Sequence, residues 1–281
     1  MDEQAVRQLR AEVIARKNLP TIPSVLARIL QLVDAESTNG RELIEIIEHD
    51  QALTGKMLRL ANSAFFGQSR RVATIPRAVM LLGFSTVRNL ALGVKVWDAL
   101  GSGVACARLE ELWAHGVAVA IAAKALTARL RAGDPDEAFT AGLLHDTGRL
   151  VLAMKLGEEY WVTVGGATES QAVESIESAA YGANHAEVGA WLLEAWSLPP
   201  AIIDAVREHH GSPLRPGVPG LLTVADRLVA WTDVASGALR LEAEQLLRTT
   251  SARGVTPELW QDVLVQLRGR SELTALGRLE A

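Results

Sequence analysis

The 281-residue sequence holds a single cysteine, Cys106. No internal disulfide can form, and with no Cys-x-x-Cys pair the expected compartment is the reducing cytoplasm. Long apolar runs are missing as well. The most apolar window, Val117-Ala118-Val119-Ala120-Ile121-Ala122-Ala123, meets Lys124 and Arg129 well short of a bilayer-spanning length, so it reads as a buried helix and no membrane association is expected. The opening residues Met1-Asp2-Glu3-Gln4 lack both the basic start and the apolar core of a secretory signal. No dominant basic run occurs and the formal net charge is -5. Nucleic acid is therefore not an expected partner, because releasing counterions from phosphates takes a basic face.

Several sequence signals are absent too. Short alternating segments joined by Asn-Gly or Asp-Gly turns do not occur, which removes the β classes. There is no Walker-type or dinucleotide-binding glycine motif, and Gly165-Gly166 is too bare for a phosphate cradle and reads as a loop. A Ser-His-Asp hydrolase lacks its Gly-x-Ser-x-Gly elbow.

What is present is helical periodicity in an ordinary soluble composition, 49% hydrophobic and 22% charged, long enough for one large domain or two lobes. Val25, Ile29, Leu32 and Val33 form a stripe after Leu19-Pro20-Thr21-Ile22-Pro23, and Leu53, Met57, Leu60 and Ala61 form another after Asp50. Val87, Leu90, Ala91 and Val94 form a third, beginning after Gly83 with Ser85 as its cap. The fold class is all-α. The small-residue stretch Gly101-Ser102-Gly103-Val104-Ala105 reads as a hinge. It divides the chain into an N-terminal lobe over 1–104, a second lobe over 105–235 and C-terminal helices over 236–281. In the second lobe, Leu109, Leu112, Trp113, Gly116, Val119, Ala120, Ala123 and Leu126 mark a long buried helix with His115 on its flank. Asp134-Pro135-Asp136-Glu137 is a helix start, with Asp134 as cap and Glu137 placed to close a capping box.

Five of the six histidines, together with two aspartates, form the functional lead: His115, His145-Asp146, His185, His209-His210 and Asp226. Singly, each has an ordinary explanation. His115 suits a hydrogen-bonded core position, His185 a helix start, and His209-His210 a helix C-terminus, where cationic imidazole complements the dipole. Jointly, their placement at helix ends and inner edges points to one shared site of imidazoles and carboxylates, the donors of a divalent ion. Asp226 falls between Leu222 and Val229 on an apolar helix face, and a buried carboxylate needs a partner: a metal, Arg227 or Lys124. His49, in Glu48-His49-Asp50, is expected at the surface.

In this order, His, His-Asp, His, His-His, Asp, the residues resemble the HD superfamily of metal-dependent phosphohydrolases, and the surrounding strings resemble its HDOD branch. Those strings are Leu19-Pro20-Thr21-Ile22-Pro23, Leu60-Ala61-Asn62-Ser63-Ala64-Phe65-Phe66-Gly67, Ala78-Val79-Met80-Leu81-Leu82-Gly83, Gly142-Leu143-Leu144-His145-Asp146-Thr147-Gly148, His185-Ala186-Glu187-Val188-Gly189-Ala190 and Trp196-Ser197-Leu198-Pro199, followed by His209-His210. The resemblance implies a helical N-terminal lobe packed on an HD-like lobe, a role in bacterial signalling, and metal contact for His115, His145, Asp146, His185, His209, His210 and Asp226, with Fe, Mn, Mg or Zn as the ion. Arg149 stands where the active cyclic-dinucleotide phosphodiesterase branch has Lys, and Gly211-Ser212-Pro213-Leu214 lacks that branch's Gly-Tyr-Pro signature, which argues against that activity.

Two functional classes follow. The preferred one is a regulatory module, with or without a structural metal, whose two lobes pass a signal to a protein partner. The other is a phosphohydrolase acting on a nucleotide or other phosphoester. There Asp146 would be the catalytic residue bridging two ions, and Lys124 or Arg149 would hold the substrate phosphate.

Overall fold

The computed structural model describes residues 3–14, 24–34, 40–62, 72–101, 104–165, 173–232 and 239–267. The string at 19–23, residues 63–67, Ser102-Gly103 of the expected hinge, and Gly166 lie outside the described residues. Within them the chain is helical, with no strand and one isolated bridge between Thr232 and Leu239.

The first half comprises α1 (Glu3–Ile14), α2 (Ser24–Asp34), α3 (Gly40–Glu48), α4 (Gln51–Ala61), α5 (Ile75–Leu82) and α6 (Phe84–Leu100). Asp50 caps α4, its side chain accepting the Leu53 N–H at 2.9 Å, and the Leu53, Met57, Leu60, Ala61 stripe is buried. Ile29 and Leu32 on α2 and Val87, Leu90, Ala91 and Val94 on α6 are buried too; the Val33 side chain is outside the described residues. The expected Ser85 cap is not used. Gly83, at φ 84°, ends α5 and serves as N-cap of α6, because the sharp turn between the two helices needs a left-handed residue there. His49 is exposed and donates from Nδ1 to the Glu45 carbonyl.

The second half is built on α7 (Cys106–Leu130), whose apolar window Val117 to Ala123 is buried along its whole length. Around it come α8 (Pro135–Leu144), α9 (Thr147–Leu156), α10 (Glu158–Gly165), α11 (Val173–Tyr181), α12 (His185–Ala195), α13 (Pro200–Arg207) and α14 (Val218–Ala230), then α15 (Leu241–Thr250) and α16 (Pro257–Leu267). Asp134 caps α8 through the Asp136 N–H at 2.7 Å rather than through Glu137, so the expected reciprocal box is not what starts this helix. A box does occur at α12, where Asn184 accepts the Glu187 N–H and Glu187 accepts the Asn184 N–H. Gly165 closes α10 instead of sitting in a loop.

One apolar core runs from Leu9 to Leu267 through both halves. α8 and α14 pack on α7, α9 and α13 on α12, and α16 on α7, while α1 crosses to lie against α12. α6 meets α8 and α9. At that contact Trp97 donates its indole N–H to the Leu143 carbonyl at 3.3 Å, an acceptor in the last turn of α8. No single helix among the described residues is long and apolar enough to cross a membrane.

Candidate metal centre

Five separate stretches of helical scaffold deliver the seven residues predicted from sequence, and they converge. His115 projects from the middle of α7; His145 is the C-cap of α8 and Asp146 the N-cap of α9; His185 opens α12; His209 and His210 follow α13; Asp226 lies on α14. Close backbone packing sets the spacing. A Cβ on Gly148 would lie 1.9 Å from the His185 carbonyl oxygen and 2.7 Å from the Gly189 nitrogen, so only glycine lets α9 and α12 approach this closely. Arg227 on α14 donates to the carbonyls of His210 and Gly211, both at 3.2 Å, and fixes the loop that carries the histidine pair.

The hydrogen bonds of the rings define which nitrogen faces inward. His145 Nδ1 lies 2.7 Å from the Gly142 carbonyl and His209 Nδ1 lies 2.6 Å from that of Val206. A carbonyl can only accept, so both Nδ1 atoms carry a proton and both rings turn Nε2 toward the cluster. His185 Nδ1 likewise donates to Glu177 Oε2 at 2.6 Å. The inward ring nitrogens crowd on one another and on a carboxylate: His185 Nε2 is 3.2 Å from Asp146 Oδ1, 3.3 Å from His209 Nε2 and 2.8 Å from His210 Nε2. His145 Nε2 is buried with no hydrogen bond, and Asp146 Oδ1 and Asp226 Oδ1 each stand 3.6 Å away. His115 Nε2 meets Asp226 Oδ1 at 2.9 Å.

These separations test whether the residues fit a metal. Two donors held roughly 2.1 Å from one ion sit about 3.0–3.4 Å apart in octahedral or tetrahedral arrangement. The observed spacings of 2.8 to 3.6 Å bracket that range. Three overlapping triads, His185-His209-His210, His115-His145-Asp146 and His145-His209-Asp226, each bring ligand atoms within 4.8 Å of one another. An orphaned buried Nε2 and ring nitrogens crowded on one another and on carboxylates suit a cation between them. The residues fit.

The electrostatics agree. Burial would push the Asp146 carboxyl up, but His145, Arg149 and His185 hold it well below the usual carboxylate range, and His115 and His145 do the same for Asp226 against its own burial. His185 is pulled down by burial yet pushed up to about 9 by its bonds to Asp146 and Glu177. Burial and the neighbouring imidazoles drive His209 well below the ordinary histidine value. Without a metal, therefore, protons and carboxylates share the charge of the cluster.

A cavity of about 830 Å³ opens onto His115, Asp146, His185, His210 and Asp226, with Arg108, Arg149, Arg227, Trp161 and Trp231 among its walls. One expectation from sequence is corrected, and the alternatives for Asp226 are decided. Lys124 is not at this site: it pairs with Asp136 at 2.7 Å and lines a different cavity, because its position on α7 turns it toward α8 and α6. Asp226 pairs with His115 rather than Arg227 or Lys124, since Arg227 is engaged with the histidine loop. Arg149 does reach the cluster, at 3.4 Å from Asp146 Oδ2. Sequence reasoning missed Glu177 and Tyr160, both fully buried behind His185. Neither lies in a motif, and only the Asn184-x-x-Glu187 pattern marked the neighbourhood as a fixed helix start.

The HDOD domain model matches residues 19–212. The chain belongs to the HDOD domain family. A relative in Treponema pallidum (strain Nichols), an uncharacterized protein, is 29% identical over 262 residues, covering 83% of this HDOD chain and 48% of the relative. The chain thus spans about half the length of that relative. Among solved structures, a Shewanella amazonensis SB2B protein named "Putative phosphohydrolase" superposes with TM-score 0.75 at 26% identity, covering 97% of both chains. A Marinobacter aquaeolei VT8 protein named "Putative signal transduction protein" has TM-score 0.75 at 23% identity, over 99% of this chain and 66% of its own, a likeness of fold.

Proposed function

We propose that this HDOD chain is a bacterial, cytoplasmic signal-transduction module built around a divalent-metal centre held by His115, His145, Asp146, His185, His209, His210 and Asp226. The observation that carries it is the inward set of Nε2 atoms, fixed by Nδ1 donation and facing carboxylate oxygens. Five imidazoles with two carboxylates favour Fe, Mn or Zn over Mg, which prefers oxygen donors. Support for signalling comes from the first half of the chain. Among its described residues it supplies no candidate ligand, yet α6 places Trp97 on the Leu143 carbonyl, two residues before His145. A change of α6 induced by a protein partner would be felt at the His145-Asp146 doublet, and the reverse would hold for a change at the metal. The name of the Marinobacter protein is in keeping with this reading.

A second reading, hydrolysis of a nucleotide or other phosphoester, is favoured by the arginine-lined cavity at the cluster and by the name of the Shewanella protein. A bound ion would supply an activated water and charge neutralisation for a phosphoryl centre. Arg149 would orient Asp146, and Arg108, over the Trp161 ring at 5.0 Å, would face an anionic ligand at the cavity wall.

The test is metal analysis of protein purified without added ions, followed by a screen of phosphoesters and cyclic nucleotides with Mn, Fe and Mg. A signalling module contains metal, loses it on Asp146→Ala, and turns over no ester. Metal-dependent turnover abolished by Asp146→Ala makes the second reading correct, and absence of any bound metal defeats both.

A further inference from the structure

Three carboxylates are buried among the described residues. Asp146 and Asp226 face the imidazole cluster, whereas Glu177, on α11, lies behind it with no exposed surface. All its bonds are directed. Oε1 accepts the Tyr160 hydroxyl at 2.7 Å, and Oε2 accepts both the His185 backbone N–H at 2.8 Å and His185 Nδ1 at 2.6 Å. Tyr160 is itself fully buried, and its hydroxyl accepts Arg149 Nε at 3.3 Å. Arg149 Nη1 then reaches Asp146 Oδ2 at 3.4 Å. The run His185, Glu177, Tyr160, Arg149, Asp146 therefore leaves the cluster at one candidate ligand and returns to it at another.

A buried carboxylate is costly and needs compensation. Capping α12 accounts for one of its bonds, since the Asn184–Glu187 box leaves the His185 N–H to Oε2. The bond to Nδ1 has a different consequence. It fixes the His185 tautomer and ring plane, and an anion accepting from Nδ1 raises the donor strength of Nε2.

We propose that Glu177 is a positioning residue of the metal centre, setting the orientation and donor strength of His185, and that Tyr160 and Arg149 tie that setting to Asp146. This rests on the metal reading above.

The test uses the full chain stripped of metal, titrated with Zn²⁺ against a chromophoric chelator and, separately, with Co²⁺ followed by visible absorption. Glu177→Gln keeps the shape and removes the charge. It is expected to weaken Zn²⁺ binding by about 10–100-fold, the usual cost of losing such an orienting partner, and to shift the Co²⁺ bands, which report ligand field and not fold stability. Tyr160→Phe removes one oxygen and keeps the ring; it is expected to weaken binding by a smaller factor, about 3-fold, with a smaller spectral shift in the same direction. Wild-type affinity and an unchanged Co²⁺ spectrum in both variants would overturn the positioning role while leaving the metal reading intact. Failure of the unmodified chain to bind Zn²⁺ or Co²⁺ overturns both. If circular dichroism shows that Glu177→Gln does not fold, Tyr160→Phe decides alone, wild-type behaviour again overturning the proposal.

Discussion

Gly148→Ala tests the contact on which the centre depends. The added Cβ would sit 1.9 Å from the His185 carbonyl oxygen and 2.7 Å from the Gly189 nitrogen, against the 3.4 Å at which ordinary contact begins. Both obstacles are backbone atoms of α12, so no side chain can rotate aside. The helices must part by about 1.5 Å, the shortfall between 3.4 and 1.9 Å. Overpacking of a fixed core costs about 1–3 kcal/mol, and a clash with backbone lies at the upper end. At roughly 2 °C per kcal/mol for a chain of this size, the melting temperature should fall by about 6 °C. The same separation carries Asp146 Oδ1 away from His185 Nε2, now 3.2 Å apart, and metal affinity should drop by about tenfold or more, since such sites tolerate roughly 0.5 Å of misplacement. Gly55→Ala is the matched control: it lies mid-helix in α4 with nothing within 4 Å of its Cβ. That change should raise stability by about 0.5–1 kcal/mol through helix propensity and a smaller unfolded-state entropy. Thermal melts and Zn²⁺ titration of both proteins decide the matter. A Gly148→Ala protein that melts and binds metal like its parent would refute the close approach of α9 and α12.

Further outcomes are expected. Chelation should lower the melting temperature of protein shown beforehand to contain metal, by about 2.7 kcal/mol of stability for ion present at 100 times its dissociation constant; unchanged melting would mean that the ion does not couple to folding. In metal-free protein, stability followed by denaturant titration should fall on both sides of roughly pH 6.5. His209 is depressed in the fold, so its contribution is present above about 6.5 and is lost as pH falls; Asp146, Asp226 and Glu177, also depressed, are lost lower still, below about 4. His185 is raised, so its contribution is complete below about 6.5 and disappears as pH rises through about 9. A profile flat from pH 5 to 9 would contradict these assignments. Trp97→Phe should destabilise by about 1–3 kcal/mol, because the Leu143 carbonyl loses its buried donor. The same variant should change the metal affinity if α6 is coupled to the doublet; loss of stability with unaltered affinity would confine Trp97 to packing.

The sequence by itself determined the helical class and much of the local punctuation. The stripes of Leu53, Met57, Leu60 and Ala61 and of Val87, Leu90, Ala91 and Val94 were legible because burial of a helix face imposes a 3.6-residue period that survives in composition. It also pointed to the residues that compose the cluster, since five imidazoles and two carboxylates at helix ends and inner edges share one explanation where singly each has its own. Tertiary structure alone decided the rest. Whether Asp226 answered to His115, Arg227 or Lys124 depended on how α14 is rotated against α7, which no local pattern encodes. Gly83 displaced Ser85 as the cap of α6 because the chain has to turn sharply there from α5. Glu177, Tyr160 and the glycine contact at Gly148 were invisible in sequence for the same reason: a carboxylate, a tyrosine and a glycine acquire their roles only from what another helix brings against them.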